Sequence, residues 1–120
     1  MLVIPSVSST RWRESWGLVA NEAMNCGLPV VSTDAVGAAA GGLVLNNRTG
    51  LIVPERDPSA LAAALRLLIE NRDERRCLGD AAKRHVLRWN YGVAAGAFMH
   101  ALDRAAERWG SSLFSGFRWG

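Results

Sequence analysis

Two carboxylates, Glu14 and Glu22, stand eight positions apart in this 120-residue chain. The stretch between them contains a glycine and leads into a pattern typical of a helix. Carboxylates placed near a helix start can accept hydrogen bonds from hydroxyls, and the unpaired amides of the helix start attract an anion such as phosphate. A ligand that carries both phosphates and hydroxyls is a nucleotide sugar, and the pair favours this class of ligand.

Gly17 marks the predicted start of that helix, and the amides of Trp16, Gly17 and Leu18 are expected to point into one crevice. Glycine has no Cβ, so its backbone can approach a ligand closely. Two ionised carboxylates near one site repel each other, and sugar hydroxyls between Glu14 and Glu22 would donate to both. The alternative is a surface Glu14 and a Glu22 that complements the helix dipole. Spacing by itself leaves both interpretations open.

Short apolar runs and helix signals on both sides of these residues predict an α/β fold. A partial Rossmann-like parallel sheet of about three short strands is expected, with crossover helices and a C-terminal helical segment. The first helix is expected at about residues 17–25, with Leu18, Val19, Ala23 and Met24 facing inward and a left-handed glycine cap after it. In such sheets the ligand lies beyond the carboxyl ends of the strands. Short apolar runs predict the strands at residues 2–4, 29–33 and 51–54.

The remainder of the chain is predicted to be helical. Asp57 is expected to cap a helix that has Pro58 at its first position and stops at Asn71. Two further helices are predicted at about residues 73–89 and 90–109. Together these elements predict one partial nucleotide-sugar-binding domain over residues 1–109 and an irregular tail over residues 110–120.

The composition argues against several classes of protein. The net charge is only +3, with acids interleaved among the basic residues, which argues against nucleic-acid binding. Cys26 and Cys77 have no CxxC spacing, so they suit a reducing cytoplasm and are expected to be buried apolar thiols. No apolar run approaches the roughly 20 residues that span a bilayer, and no signal peptide is visible. We therefore expect a cytoplasmic protein without a transmembrane segment.

Several landmarks in order resemble one known family. Residues 4–6, 14–18 and 21–31 are similar to the C-terminal, donor-binding domain of retaining GT-B glycosyltransferases, in the group that carries a Glu-x7-Glu motif. This group is also known as glycosyl transferases group 1, or family 4. Residues 49–54, followed by Asp57, Pro58 and Leu61, resemble the next landmark of that domain. The resemblance covers about residues 2–102.

The resemblance implies a role for each residue of the motif. Glu14 would contact hydroxyls of the donor sugar and stabilise developing positive charge, and Glu22 would contact the ribose of the nucleotide. Backbone amides of Trp16, Gly17 and Leu18 would hold the sugar and the diphosphate. The implied reaction transfers a hexose from a nucleoside diphosphate sugar to a hydroxyl acceptor with retention of configuration. It needs no metal and no other cofactor, since amides and basic side chains stabilise the leaving group.

The chain also departs from that family. Residues 34–42 lack the acid that usually follows a Gly-Gly pair, so we expect a flexible or short-helical connector there. The acceptor domain and the earlier strands of the donor domain are missing from the chain. It is therefore expected to have little or no transferase activity alone and to need an N-terminal acceptor domain or a complementing chain. A full enzyme of this kind could lie at the membrane surface.

Other functions stay open at this point. The chain could be a nucleotide-sugar-binding or complementing fragment, or an interaction module without catalysis. A dinucleotide-binding protein is disfavoured, because no GxGxxG joins the first strand to the first helix.

Residues outside the motif receive simpler interpretations. His85 and His100 have no nearby Cys or acid at metal-ligand spacing, so surface or core-edge packing is expected for both. Arg11 and Arg13 are expected to be solvated, although either could reach a phosphate. Asn21 is expected to face outward.

Overall fold

A computed structural model describes residues 1–12 and 14–109 of the chain. Arg13 and the predicted tail at residues 110–120 lie outside the described residues. The chain divides into two compact units, Met1–Trp89 and Asn90–Gly120.

The first unit is built on a sheet of three parallel strands, as the sequence predicts. Their order in the sheet is the order in the chain, and Val30 lies opposite both Leu2 and Gly50. The strands are β1 (Leu2–Ile4), β2 (Val30–Thr33) and β3 (Gly50–Val53). The helices of this unit are α1 (Val19–Asn25), α2 (Gly37–Ala40), α3 (Pro58–Glu70) and α4 (Arg72–Val86). The described part of the second unit contains α5 (Tyr91–Trp109).

The sheet is buried on both faces, because alternate side chains of each strand enter different clusters. Val30 packs with Ala20 and Met24 of α1, whereas Val31 packs with Ala64 and Leu68 of α3. This placement explains why β2 is apolar at both positions instead of alternating with polar residues. Helix α4 packs against both α1 and α3. The loops at the strand ends are therefore carried on a sheet that is covered by helices on both faces.

Helix α3 has the predicted Asp57 cap and the predicted end at Asn71, whereas the Asn71 cap of α4 is not predicted from the sequence. The Asp57 carboxylate accepts a hydrogen bond from the amide of Ala60 at 2.9 Å, and Pro58 occupies the first helical position. Asn71 both ends α3 and caps α4, since its side-chain oxygen accepts from the amide of Glu74 at 3.0 Å. These local contacts fix where the two long helices of the unit meet.

The predicted inner face of α1 is wrong at its first two residues. Leu18 and Val19 are 73% and 48% exposed, whereas Ala23 and Met24 are buried as expected. The helix begins at Val19 instead of Gly17, because Gly17 adopts a positive φ of 79° and turns the chain before the helix starts. The buried residues of α1 are therefore Ala20, Ala23 and Met24.

Both cysteines are exposed, so the prediction of buried thiols is also wrong. Cys26 follows the last residue of α1 at the helix end, and Cys77 stands next to Leu78 on α4. Leu78 is the buried residue of that pair, and a neighbouring position on a helix points about 100° away.

Two neighbouring hydroxyls at the end of β2 predict opposite mutational effects. The Ser32 hydroxyl is fully buried and has no hydrogen-bond partner among the described residues, whereas Thr33 Oγ1 donates to the Ser6 carbonyl at 2.6 Å. We expect Ser32→Ala to leave stability unchanged or raise it by about 1 kcal/mol, because an unpaired buried hydroxyl is removed. Thr33→Val should cost about 1–2 kcal/mol, because the Ser6 carbonyl loses its donor. Urea unfolding of the two variants checks the sign of each change; a loss of stability in Ser32→Ala would contradict the assignment.

Candidate functional site

The loop between β1 and α1 starts at the carboxyl edge of the sheet and is attached there to the ends of the other two strands. Thr33, at the end of β2, donates to the Ser6 carbonyl. After β3, the Glu55 carboxylate accepts from the Ser8 amide, and the Arg56 guanidinium donates to the Ser8 carbonyl. Three strand ends thus fix the first part of the loop at the edge where ligands bind in parallel α/β sheets.

The end of this loop, residues 14–18, is attached to α2. The Glu14 carbonyl accepts from the Gly37 amide at 3.1 Å, and the Trp16 carbonyl accepts from the Ala38 amide at 2.8 Å. The sequence predicts a flexible or short-helical connector over residues 34–42, and the short helix α2 is present there. Its first amides hold the backbone of the 14–18 loop, a role that the sequence does not indicate.

Glu14 is half-buried, and its side chain turns back onto its own loop. Its Oε1 accepts a hydrogen bond from the Gly17 amide at 3.1 Å. The expectation that the Gly17 amide is free is therefore wrong in this structure, because the Glu14 carboxylate occupies it. The amides of Trp16 and Leu18 have no acceptor among the described residues. The loop thus presents a fixed carboxylate beside two available amides.

Glu22 lies in the first turn of α1 and is exposed. Within the described chain its carboxylate has no hydrogen-bond partner. This position is compatible both with a ligand contact and with the simpler interpretation that Glu22 complements the helix dipole.

Trp16 is held by Asn21, a side chain that the sequence predicts to point outward. The indole Nε1 donates to Asn21 Oδ1 at 2.9 Å, and Asn21 is half-buried, so the prediction for Asn21 is wrong. The Trp16 ring packs against the core, and its centroid lies 5.1 Å from that of Trp89 with a tilt of 46°. His85 packs as expected, with Nε2 3.0 Å from the Gly42 carbonyl oxygen.

Groups of three or more His, Cys, Asp or Glu side chains that could hold a metal ion do not occur in residues 1–12 and 14–109. Across the same residues, no helix is both long and apolar enough to cross a membrane. Arg11 is exposed as expected.

The fold matches the C-terminal, donor-binding region of GT-B glycosyltransferases over part of their length. Sucrose-phosphate synthase from Thermosynechococcus elongatus superposes with a TM-score of 0.67 and 32% identity, over 90% of this chain and 25% of that one. Anabaena HepE in complex with UDP-glucose superposes with a TM-score of 0.58 and 26% identity, over 73% of this chain and 25% of that one. The chain belongs to the family glycosyl transferases group 1, which matches residues 1–85.

Curated relatives agree with this assignment. The D-inositol 3-phosphate glycosyltransferase of Kineococcus radiotolerans is 40% identical, in a match that covers 79% of this chain and 24% of the relative. The enzyme of the same name from Streptomyces coelicolor is 42% identical over 98 residues, covering 79% of this chain and 19% of the relative. The chain therefore spans about a quarter or less of the length of these relatives.

Proposed function

We propose that this chain is the donor-binding part of a retaining glycosyltransferase that transfers a hexose from a nucleoside diphosphate sugar to a hydroxyl acceptor. The observation that carries the proposal is the Glu14 carboxylate, fixed on the Gly17 amide at the carboxyl edge of the sheet. The similarity to Anabaena HepE, solved with UDP-glucose, supports this class of donor.

Glu14 is the proposed catalytic residue. A carboxylate offers about four acceptor sites, and the Gly17 amide uses one of them, so the others can accept donor-sugar hydroxyls. Its negative charge also stabilises positive charge that develops at the sugar as the bond to the diphosphate breaks. Because the loop backbone is held by α2, the carboxylate is positioned before the donor arrives.

The remaining contacts to the donor come from the same loop and from α1. The amides of Trp16 and Leu18 are proposed to bind the diphosphate, with Gly17 allowing close approach of the ligand to the backbone. Glu22 is proposed to accept hydrogen bonds from the ribose hydroxyls, which its exposed position permits. No metal or other cofactor enters the proposal.

The acceptor is proposed to be bound by an N-terminal domain or a complementing chain, since the residues that this proposal assigns to the site all contact the donor. The chain alone should then bind donor without transferring sugar. A cytoplasmic location is part of the same proposal, because two cysteines without CxxC spacing suit a reducing compartment; a full enzyme could lie at the membrane surface.

Calorimetric titration with UDP-glucose tests the two carboxylates. Each is expected to make charged hydrogen bonds, so Glu14→Gln and Glu22→Gln should each weaken binding by about 10- to 100-fold. Glu70→Gln, at the exposed end of α3, is the matched control and should bind like the natural chain. Titration with other nucleoside diphosphate sugars identifies the preferred base.

Three results would count against the proposal. These are the absence of binding to any nucleoside diphosphate sugar, equal affinity in all three glutamate variants, and sugar transfer by the purified chain without a partner. The last result would show that an acceptor domain is not required.

A further inference from the structure

The indole of Trp16 is enclosed by groups that take no part in the proposed ligand contacts. A Cβ placed at Gly41 would lie 2.6 Å from Trp16 Cζ3, so the glycine is needed for the ring to fit. The Trp89 ring packs on Trp16 at a centroid distance of 5.1 Å, and Asn21 accepts from the indole nitrogen. The ring is therefore fixed by α1, by the end of α2 and by the residues that follow α4.

His85, in the last turn of α4, contacts both the glycine pair that follows α2 and the Trp89 indole. Its Nε2 lies 3.0 Å from the Gly42 carbonyl oxygen and 3.4 Å from Trp89 Nε1. A neutral ring nitrogen cannot donate to one group and accept from another at the same time. The shorter contact is to a carbonyl, which only accepts, so we assign the proton to Nε2. His85 then donates to Gly42 and holds the glycine pair at the end of α2 against α4.

We propose that Trp89 and His85 are positioning residues that fix Trp16 and, through it, the carboxylate of Glu14. This inference deepens the proposed function and rests on it only for its effect on ligand binding. The connection runs from the Trp89 ring to the Trp16 ring and along the loop backbone to Glu14. The Trp89 ring packs on Trp16, and its Nε1 lies 3.4 Å from His85 Nε2.

The backbone contacts explain why movement of Trp16 would reach Glu14. The Trp16 and Glu14 carbonyls are bound by consecutive amides of α2, Ala38 and Gly37. If Trp16 as a whole shifts towards the space left by a smaller residue 89, its backbone carbonyl shifts as well, and both bonds are disturbed. The Gly17 amide, one residue further on, would then lose its fixed position against the Glu14 carboxylate.

Hydrogen exchange followed by NMR tests the inference without a ligand. Trp89→Leu is expected to speed exchange at the Gly37, Ala38 and Gly17 amides by about tenfold, while the amides of β2 and β3 exchange as before. Tyr91→Leu makes a matched aromatic-to-leucine change only two positions away, at a side chain that is 95% exposed, and should alter none of these rates. Trp89→Phe keeps a ring on Trp16 and should restore most of the protection.

UDP-glucose binding gives a second readout. Trp89→Leu should weaken binding by about three- to tenfold, which is the range set by the loss of one aromatic pair. His85→Gln retains a side-chain N–H donor and should bind more tightly than His85→Leu.

The two proposals fail in different ways. If the natural chain does not bind UDP-glucose or a related donor, the proposed function fails, and the exchange rates still decide whether Trp89 fixes the loop. Unchanged exchange at Gly37, Ala38 and Gly17 in Trp89→Leu overturns the inference. The inference is also overturned if the amides of β2 and β3 exchange faster by the same factor as those of Gly37, Ala38 and Gly17. Trp89 would then stabilise the whole unit and not the loop in particular. If Trp89→Leu does not fold, Trp89→Phe and the two His85 variants provide the same comparison.

Discussion

Gly79→Ala is expected to destabilise the Met1–Trp89 unit by about 3 kcal/mol or to prevent its folding. Gly79 lies on α4 where this helix passes the end of α1. A Cβ at this position would collide with the Gly27 carbonyl oxygen and lie 3.2 Å from Pro29 Cδ. Neither neighbour is a flexible side chain, so α4 would have to move away from α1.

That movement would open the core, because Ala82 and Val86 of α4 are buried in the same cluster as Ala23 and Met24 of α1. Alanine gains about 1 kcal/mol over glycine in a helix, and this gain is too small to offset the loss of packing. Urea unfolding followed by circular dichroism measures the change.

Gly96→Ala is the control for this substitution. Gly96 lies within α5, and an added Cβ would meet nothing within 4 Å. The same change should therefore stabilise α5 by up to about 1 kcal/mol. An unfolding midpoint of Gly79→Ala equal to that of the natural chain would show that α1 and α4 are not packed as described.

The parts of the fold that the sequence predicts are those with local signals. A run of apolar residues ended by Pro5 is enough to place β1, and Asp57 followed by Pro58 is enough to place the start of α3. The parallel order of the strands also follows, since each connection contains a helix. In each case the deciding interaction lies within a few residues of the signal.

The structure differs from these expectations at contacts that no residue pattern indicates, two of them within residues 14–21 and one between distant residues. The expected free amide of Gly17 depends on a helix start at that residue, but the left-handed turn there gives the amide to Glu14. Asn21 stands next to Glu22 and is predicted to face outward, but its Oδ1 instead accepts from the Trp16 indole. The contact between Trp16 and Trp89 joins residues far apart in the chain, so no local pattern predicts it.

Gly37 illustrates the same limit. As one residue in a stretch rich in glycine and alanine it indicates only a connector, yet its lack of a side chain determines where the loop can lie. A Cβ at Gly37 would collide with the Ser15 carbonyl oxygen and approach Trp16 Cα at 2.9 Å. The requirement for glycine comes from the backbone of another segment.

Gly37→Ala is accordingly expected to weaken UDP-glucose binding about 100-fold, because the loop that carries Glu14 is displaced from α2. The added methyl group stands between the two backbones, so the bond from the residue 37 amide to the Glu14 carbonyl is lost as well. The core strands β2 and β3 do not contain this contact. Calorimetry measures the affinity, and the NMR shifts of the β2 and β3 amides report whether the sheet is intact.

Gly42→Asn is the matched control in the same segment. Gly42 has a φ of 80°, and nothing lies within 4 Å of a Cβ added at this position. Asparagine tolerates this left-handed conformation, so the variant should bind the donor within about threefold of the natural chain. If Gly37→Ala and Gly42→Asn bind equally well, α2 does not set the position of Glu14. If only Gly37→Ala loses affinity while its sheet is unchanged, the close approach of the 14–18 loop to α2 is what places the carboxylate at the donor.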